Sequence, residues 1–189
     1  MLEIHGKREC PFAWRVRLVA RQKEAPYEWI PFDVASPDAR AAHRNPERRS
    51  PLLWDAGFAL TESLVIAEYI EESTGGRPLL PAAPRERARA RLLLATLVPK
   101  LEMVPSHSRD RAAAVRHARH GHAALEEALR DGEDGEWLGG DSPMLPDLMI
   151  WPFLSLQEQD EAAIAPERVR ARRYWERARQ SPALAATRP

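Results

Sequence analysis

A change in hydrophobic periodicity partway along the chain is the feature that most constrains its fold. Up to about Ser73, apolar residues switch between the alternation typical of strands and the three-to-four spacing typical of helices. A segment rich in glycine and proline follows over 74–84, and no strand pattern appears after it. The sequence therefore predicts an α/β domain over residues 1–75, a linker over 76–85 and an all-α domain over 86–189.

The first part predicts the element order β-α-β-α-β-β-α. Strand patterns cover 2–5 and 26–32, and a hairpin over 52–60 turns at Asp55-Ala56-Gly57. Helical patterns cover 11–23 and 62–73, and Ser36-Pro37 has the N-cap and first-position proline typical of a helix start. In the second part, helical patterns cover 85–104, 110–130, 147–156 and 167–179, with a kink expected at Pro99.

Charge and cysteine content exclude several classes of protein. The chain has 28 basic and 28 acidic residues, so no basic excess points to nucleic acid or to a membrane surface. The arginines are interspersed with acids and are interpreted as solvated helix faces. The chain has neither an apolar run of about 18 residues nor a signal-peptide core at its start. A single cysteine excludes an intrachain disulfide, so we expect a cytoplasmic protein.

The single cysteine, Cys10, directly precedes Pro11 and the first helical pattern. Proline suits the first helical position, which makes Cys10 the N-cap residue. Its sulfur is then expected to face unpaired backbone N–H groups and the positive end of the helix dipole, which favours the thiolate. A nucleophilic thiol needs this environment, whereas most lone cysteines are buried and structural. Because Ala13 stands three residues later, any disulfide must involve an external thiol.

Two further segments have both a functional and a structural interpretation. Ser50-Pro51 precedes a strand, and a cis bond there would expose the backbone of Ser50 to a peptide-like ligand, although trans proline is commoner. Thr61-Glu62-Ser63 stands where a strand turns into a helix. Its free N–H groups and serine hydroxyl suit a carboxylate, and they equally suit plain helix capping.

These segments, in this order, resemble the glutathione transferases, and "CPFAWRVRL" looks like the omega class and related bacterial cysteine-type members. "SPLL" resembles the cis-proline segment of the family, and "LTESLVIAEYIEE" resembles its E-S-x-x-I-x-x-Y stretch. "WLGGDSPMLPDLMIWPFL" resembles the motif that nucleates a buried helix. The resemblance implies a thioredoxin-like N-terminal domain followed by an all-α C-terminal domain, the glutathione transferase fold.

The resemblance also implies a function. It implies a glutathione-dependent thiol transferase or reductase in which Cys10 forms a mixed disulfide with glutathione. Ser50 would pair with the cysteinyl part of glutathione, and Glu62 and Ser63 would hold its γ-glutamyl end. The residues that it implies for glutathione binding are Phe12, Ser50, Pro51, Glu62 and Ser63. A homodimer and a small electrophilic or oxidised co-substrate are expected, and the identity of the co-substrate stays open.

The sequence departs from the family pattern at two places. No lysine stands in "SPDARAAHRN", where the family often has one for the glycyl carboxylate of glutathione; Arg40 and Arg44 are the candidates to replace it. Met144 replaces the hydroxyl of the capping motif, and Pro146 replaces its alanine. The helix near Asp147 is therefore expected to lose a side-chain cap worth about 0.5–2 kcal/mol.

Three alternatives remain open at this stage. A non-catalytic binding protein of the stringent starvation protein type would fit the missing lysine, and conjugation of glutathione to an electrophile is a rival reaction. A small-molecule isomerase on the same fold would want a serine-rich start to the first helix, which is absent here. His117, His120 and His122 are interpreted as a solvated face and not as metal ligands, because matching Cys or Asp residues are absent.

Overall fold

The structure is a computed structural model, and it describes residues 1–31, 44–104, 108–131, 136–159, 162–185 and 187. The chain divides into two compact units, Met1–Pro78 and Leu79–Ala185. The predicted linker, residues 76–85, lies across this division. The predicted helix start at Ser36-Pro37 lies outside the described residues.

The first unit is built on a mixed four-stranded sheet. The strands are β1 (Leu2–Gly6), β2 (Tyr27–Pro31), β3 (Leu52–Asp55) and β4 (Phe58–Leu60), in the spatial order β2-β1-β3-β4. β1 pairs in parallel with β2 and antiparallel with β3, which in turn pairs antiparallel with β4. Ala56 and Gly57 join β3 to β4 with positive φ angles of 47° and 98°, as a two-residue hairpin requires.

Two helices cover one face of this sheet. They are α1 (Pro11–Gln22) and α2 (Ser63–Ser73), which pack on each other and on β1 and β3, respectively. The buried residues of α2 recur at helical spacing, whereas α1 is buried throughout Pro11–Ala20 except at Phe12. This core includes Ile4, Leu18, Leu53, Ile66 and Ile70, none of which is exposed.

The second unit is helical in its described part. Its helices are α3 (Pro84–Thr96), α4 (Val98–Leu101), α5 (Arg111–Asp131), α6 (Leu145–Gln157), α7 (Val169–Gln180) and α8 (Pro182–Ala185). The predicted order of an α/β unit followed by an all-α unit is therefore confirmed. The single kinked helix predicted over 85–104 is instead two helices, because Pro99 has no N–H to continue the ladder and the chain breaks at Leu97. The short helix α8 was not predicted.

The central helix of the second unit, α6, is nearly all buried and is held at its start by Asp147. Its fully buried carboxylate accepts hydrogen bonds from the N–H of Met144 at 2.9 Å, the N–H of Leu138 at 3.0 Å and the hydroxyl of Tyr174 at 2.8 Å. The expected loss of capping is therefore offset, because Asp147 caps the helix from its third position. Burial raises the pKa of Asp147 to about 6, and these hydrogen bonds oppose that rise.

The interpretation of the three histidines as a solvated face is wrong for one of them. His117 and His120 are exposed, but His122 is buried, and its Nε2 lies 2.9 Å from Oε1 of Gln157. Burial lowers the pKa of His122. The described residues contain no cluster of His, Cys, Asp or Glu suited to a metal ion. None of their helices has the length and apolar character that crossing a bilayer requires.

Candidate active site

Cys10 lies at the N-cap of α1, as predicted. Helix α1 begins at Pro11, and the carbonyl of Cys10 accepts the first helical hydrogen bond from the N–H of Trp14 at 2.9 Å. The half-buried sulfur makes no capping hydrogen bond with the amides of α1, so the expected contact with them is not observed. Its thiol donates instead to the carbonyl oxygen of Ser50, with a sulfur–oxygen distance of 3.4 Å.

Ser50 joins the loop before β3 to the loop before α1. The Ser50–Pro51 peptide bond is cis. The hydroxyl oxygen of Ser50 accepts a hydrogen bond from the N–H of Lys7 at 2.9 Å, while its carbonyl accepts from Cys10. Two residues that are 40 positions apart in sequence are therefore in direct contact.

Glu62 and Ser63 begin helix α2, where they differ in exposure and in backbone conformation. Glu62 is exposed, and its φ of +65° lies in a region that residues other than glycine rarely adopt. Ser63 is buried, and its hydroxyl oxygen accepts hydrogen bonds from Nε and Nη2 of Arg15 at 2.9 and 2.6 Å. Because a hydroxyl oxygen has two acceptor sites, these bonds leave its O–H as a donor, which suits a carboxylate.

A cavity of about 110 Å³ lies between these segments, within the first unit. Its lining residues are Phe12, Arg49, Ser50, Pro51, Thr61, Glu62 and Ser63. The structure thus brings together all five residues that the sequence predicted for ligand binding. Cys10 adjoins this cavity through its contact with the carbonyl of Ser50.

Sequence analysis missed one lining residue of this cavity, Arg49, for which only its position beside Ser50 gave a signal. Thr61, which also lines the cavity, belongs to the predicted segment Thr61-Glu62-Ser63. The interpretation of the arginines as solvated is wrong for Arg15 and Arg17, which are only 2% and 9% exposed. No local signal in α1 distinguished these two arginines from exposed ones, because α1 is buried on nearly all sides from Pro11 to Ala20.

One candidate replacement for the missing lysine is already engaged. Arg44 forms an ion pair with Glu3, and its guanidinium lies 5.0 Å from the ring centroid of Trp54. The other candidate, Arg40, lies outside the described residues. Arg49 is the cation that lines the cavity, and its side chain is 59% exposed while it pairs with Glu47 at 3.1 Å.

The α/β unit with this site, followed by the all-α unit, is the glutathione transferase fold. A family profile described as "Glutathione S-transferase, N-terminal domain" matches residues 4–78. The chain is 32% identical over 167 residues to the probable glutathione S-transferase GSTU6 of Oryza sativa subsp. japonica, which covers 81% of this chain and 71% of that protein. The chain belongs to the glutathione S-transferase family of enzymes.

Two further comparisons show the range of relatives. The chain is 29% identical over 167 residues to glutathione S-transferase omega-1 of Mus musculus, which covers 83% of this chain and 67% of that protein. A maleylacetoacetate isomerase from Methylobacterium extorquens AM1, solved with malonate and glutathione bound, superposes with a TM-score of 0.75 at 28% identity. That superposition covers 99% of this chain and 96% of the other.

Proposed function

We propose that this protein is an omega-like, glutathione-dependent thiol transferase whose nucleophile is Cys10. The observation that carries the proposal is the 3.4 Å contact between the sulfur of Cys10 and the carbonyl of Ser50, beside the cavity that Ser50, Glu62 and Ser63 line. A ligand whose cysteinyl backbone pairs with Ser50 would have its own sulfur close to Cys10. Similarity to an omega-1 relative supports the same assignment.

The proposed reaction consists of two thiol–disulfide exchanges. The Cys10 thiolate attacks the glutathione sulfur of a mixed disulfide R–S–S–G. A bond forms between Cys10 and that sulfur, the original S–S bond breaks, and R–S⁻ leaves and takes a proton. The thiolate of a second glutathione then attacks the glutathione sulfur bound to Cys10. Oxidised glutathione leaves, and the Cys10 thiolate is regenerated.

The single thiol makes an external thiol necessary for the second step. The chain has one cysteine, so no second cysteine of the same chain is available to resolve the adduct. Reduced glutathione supplies that thiol in this proposal, and it acts as a substrate. This requirement separates the proposed chemistry from that of a dithiol oxidoreductase.

In this proposal, different residues of the cavity hold the two ends of glutathione. The N-terminus of α2 offers backbone N–H groups and the donor hydroxyl of Ser63 to the γ-glutamyl carboxylate. The exposed Glu62 accepts from the γ-glutamyl ammonium group. Phe12 and Pro51 supply an apolar part of the cavity lining. Arg49 brings a positive charge to the cavity for the glycyl carboxylate of glutathione.

Assembly and location are part of the same proposal. We propose a homodimer, which light scattering at several protein concentrations would test. We also propose a cytoplasmic location, because a reducing compartment keeps a single thiol free and supplies reduced glutathione.

Intact-mass spectrometry after incubation with oxidised glutathione tests the reaction. The wild type is expected to gain one glutathione adduct, which reduced glutathione then removes. Cys10→Ser is the matched control, and it is expected to gain no adduct and to lose thiol-transfer activity. Absence of the adduct on a folded wild type, or full activity in Cys10→Ser, would refute the proposal.

Retention on immobilised glutathione separates the rival functions. Retention without an adduct would indicate that bound glutathione is used in conjugation or isomerisation, as the name of the Methylobacterium relative describes for that protein. Neither retention nor an adduct would indicate a non-catalytic binding protein. Either result would overturn the thiol-transferase assignment.

A further inference from the structure

Arg17 is a buried cation that has no role in the reaction proposed above. The residue is only 9% exposed, and two of its nitrogens, Nε and Nη2, are buried without a hydrogen-bond partner in the part of the chain that the structure describes. Its guanidinium lies 4.6 Å from the ring centroid of Trp29 on β2. Burying a charge without hydrogen-bonded partners costs free energy, so this arrangement calls for a compensating anion.

The geometry of α1 directs Arg17 toward Cys10. The two residues are seven positions apart, which places them on the same face of the helix and about 10 Å apart along its axis. Side chains on a helix tilt toward its N-terminus, and the long arginine side chain covers much of that distance. Cys10 stands at this N-terminus.

Trp29, on which Arg17 stacks, lies near the end of β1 that leads to the loop before α1. A Cβ placed on Gly6 would lie 3.0 Å from Cη2 of Trp29 and 3.1 Å from the hydroxyl oxygen of Ser50. Cη2 of Trp29 and the hydroxyl oxygen of Ser50 therefore both approach Gly6, and the guanidinium of Arg17 stacks on the ring of the same tryptophan. The carbonyl of Ser50 is the group that contacts the sulfur of Cys10.

Several titratable groups of the described residues lie around Arg17 and Cys10. Those that act on Arg17 are Cys10 of its own helix, Tyr27 of β2 and Arg8 of the loop before α1. Burial is the main reason that the pKa of Arg17 is lowered, and the anionic form of Cys10 acts in the opposite direction. Lys7 and Glu9 flank the same loop and are exposed, and Arg49 stands beside Ser50.

We propose that Arg17 is a positioning residue that acts through Cys10, where its positive charge favours loss of the proton that the thiol otherwise donates to the carbonyl of Ser50. It touches neither substrate nor reacting atoms. The proposal deepens the proposed function, because a thiolate is the species that attacks a disulfide. It also gives a role to a charge that costs folding free energy where it lies.

Alkylation of Cys10 by iodoacetamide measures this effect without glutathione. The single cysteine makes intact mass an unambiguous readout, and the rate is followed between pH 5 and pH 9. Arg17→Met, which fills a similar volume, is expected to raise the pH at half-maximal rate by roughly one unit. The rate well below that pH then falls about tenfold, because it follows the thiolate fraction.

Three variants distinguish a charge effect from a structural one. Arg17→Lys keeps the positive charge and is expected to restore most of the shift, whereas Arg21→Met, one turn further along and exposed, is expected to change nothing. Arg17→Met is also expected to melt at the same temperature as the wild type or above it, because it removes a poorly compensated buried charge. If Arg17→Met does not fold, the same titration is made on Arg17→Gln.

An unchanged pH profile in the folded Arg17→Met protein, or an equal shift in Arg21→Met, would overturn the inference. A lowered melting temperature together with an unchanged profile would assign Arg17 a purely structural role on Trp29. The test is separate from that of the proposed function. If Arg17→Met leaves the alkylation profile unchanged, the role of Arg17 is overturned even though the wild type forms the adduct with oxidised glutathione. If the wild type forms no adduct, the proposed function is overturned even though Arg17→Met shifts the profile.

Discussion

The guanidinium of Arg15 donates two hydrogen bonds to the hydroxyl oxygen of Ser63, at 2.9 and 2.6 Å, across the interface of α1 and α2. Ser63→Ala removes this acceptor from a buried arginine. We expect the free energy of unfolding to fall by about 1–3 kcal/mol, because a buried charged donor loses a partner. Urea unfolding measures the change, with Ser63→Thr as the control that keeps the hydroxyl. Equal stability of the alanine variant and the wild type would contradict this prediction.

Arg49 is expected to contribute to ligand affinity through its charge. Arg49→Ala should weaken the binding of glutathione roughly two- to fivefold, the range for an exposed charge that faces a carboxylate. Calorimetric titration at two salt concentrations measures the effect, and the difference from the wild type should shrink at the higher one. Arg48→Ala is the neighbouring control, because Arg48 is exposed and does not line the cavity. Equal losses in both variants would contradict a specific role.

Glu62 combines an unfavourable backbone conformation with a predicted binding role. Because its φ is +65°, Glu62→Gly should raise the free energy of unfolding by about 1 kcal/mol. The same change removes the carboxylate, so glutathione affinity should fall. Glu62→Gln separates the two effects, because it keeps the backbone preference and loses the charge. Denaturant unfolding and glutathione titration of both variants provide the measurements, and a glycine variant less stable than the glutamine variant would argue against strain.

Asp147 is expected to make stability depend on pH. Its pKa is about 6 in the folded chain against 3.8 for the free side chain, so the folded state favours the protonated form. Stability from this group is therefore complete below about pH 4 and is lost as the pH rises through about 6. A shift of two units corresponds to roughly 3 kcal/mol.

The variant Asp147→Asn isolates this dependence from that of other groups. His122, whose pKa burial lowers, acts in the opposite direction over part of the same range and is common to both proteins. The wild type should lose free energy of unfolding relative to Asp147→Asn between pH 4 and pH 7, as measured by urea unfolding. A constant difference across this range would show that Asp147 titrates alike in both states.

Local rules account for the parts of the structure that were predicted well. Proline preference and capping chemistry act over a few residues, so the start of α1 after Cys10 and the hairpin turn at Ala56-Gly57 follow from short segments. The same rules failed near Pro99, where a kink and a complete break have the same local signal. They also failed for α8, which is too short to show a period.

Residues distant in sequence decided the rest. The sequence determined that a lone cysteine caps a helix and that Ser50, Glu62 and Ser63 are candidates for the same site. It could do so because helix caps and strand ends favour particular residue types. Only the tertiary structure decided what each side chain meets: the sulfur contacts a carbonyl 40 positions away, and Arg15 and Arg17 are buried instead of solvated. The reason is that burial and hydrogen-bond partners depend on which elements pack together, and an arginine in a helical pattern has the same local signal on either face.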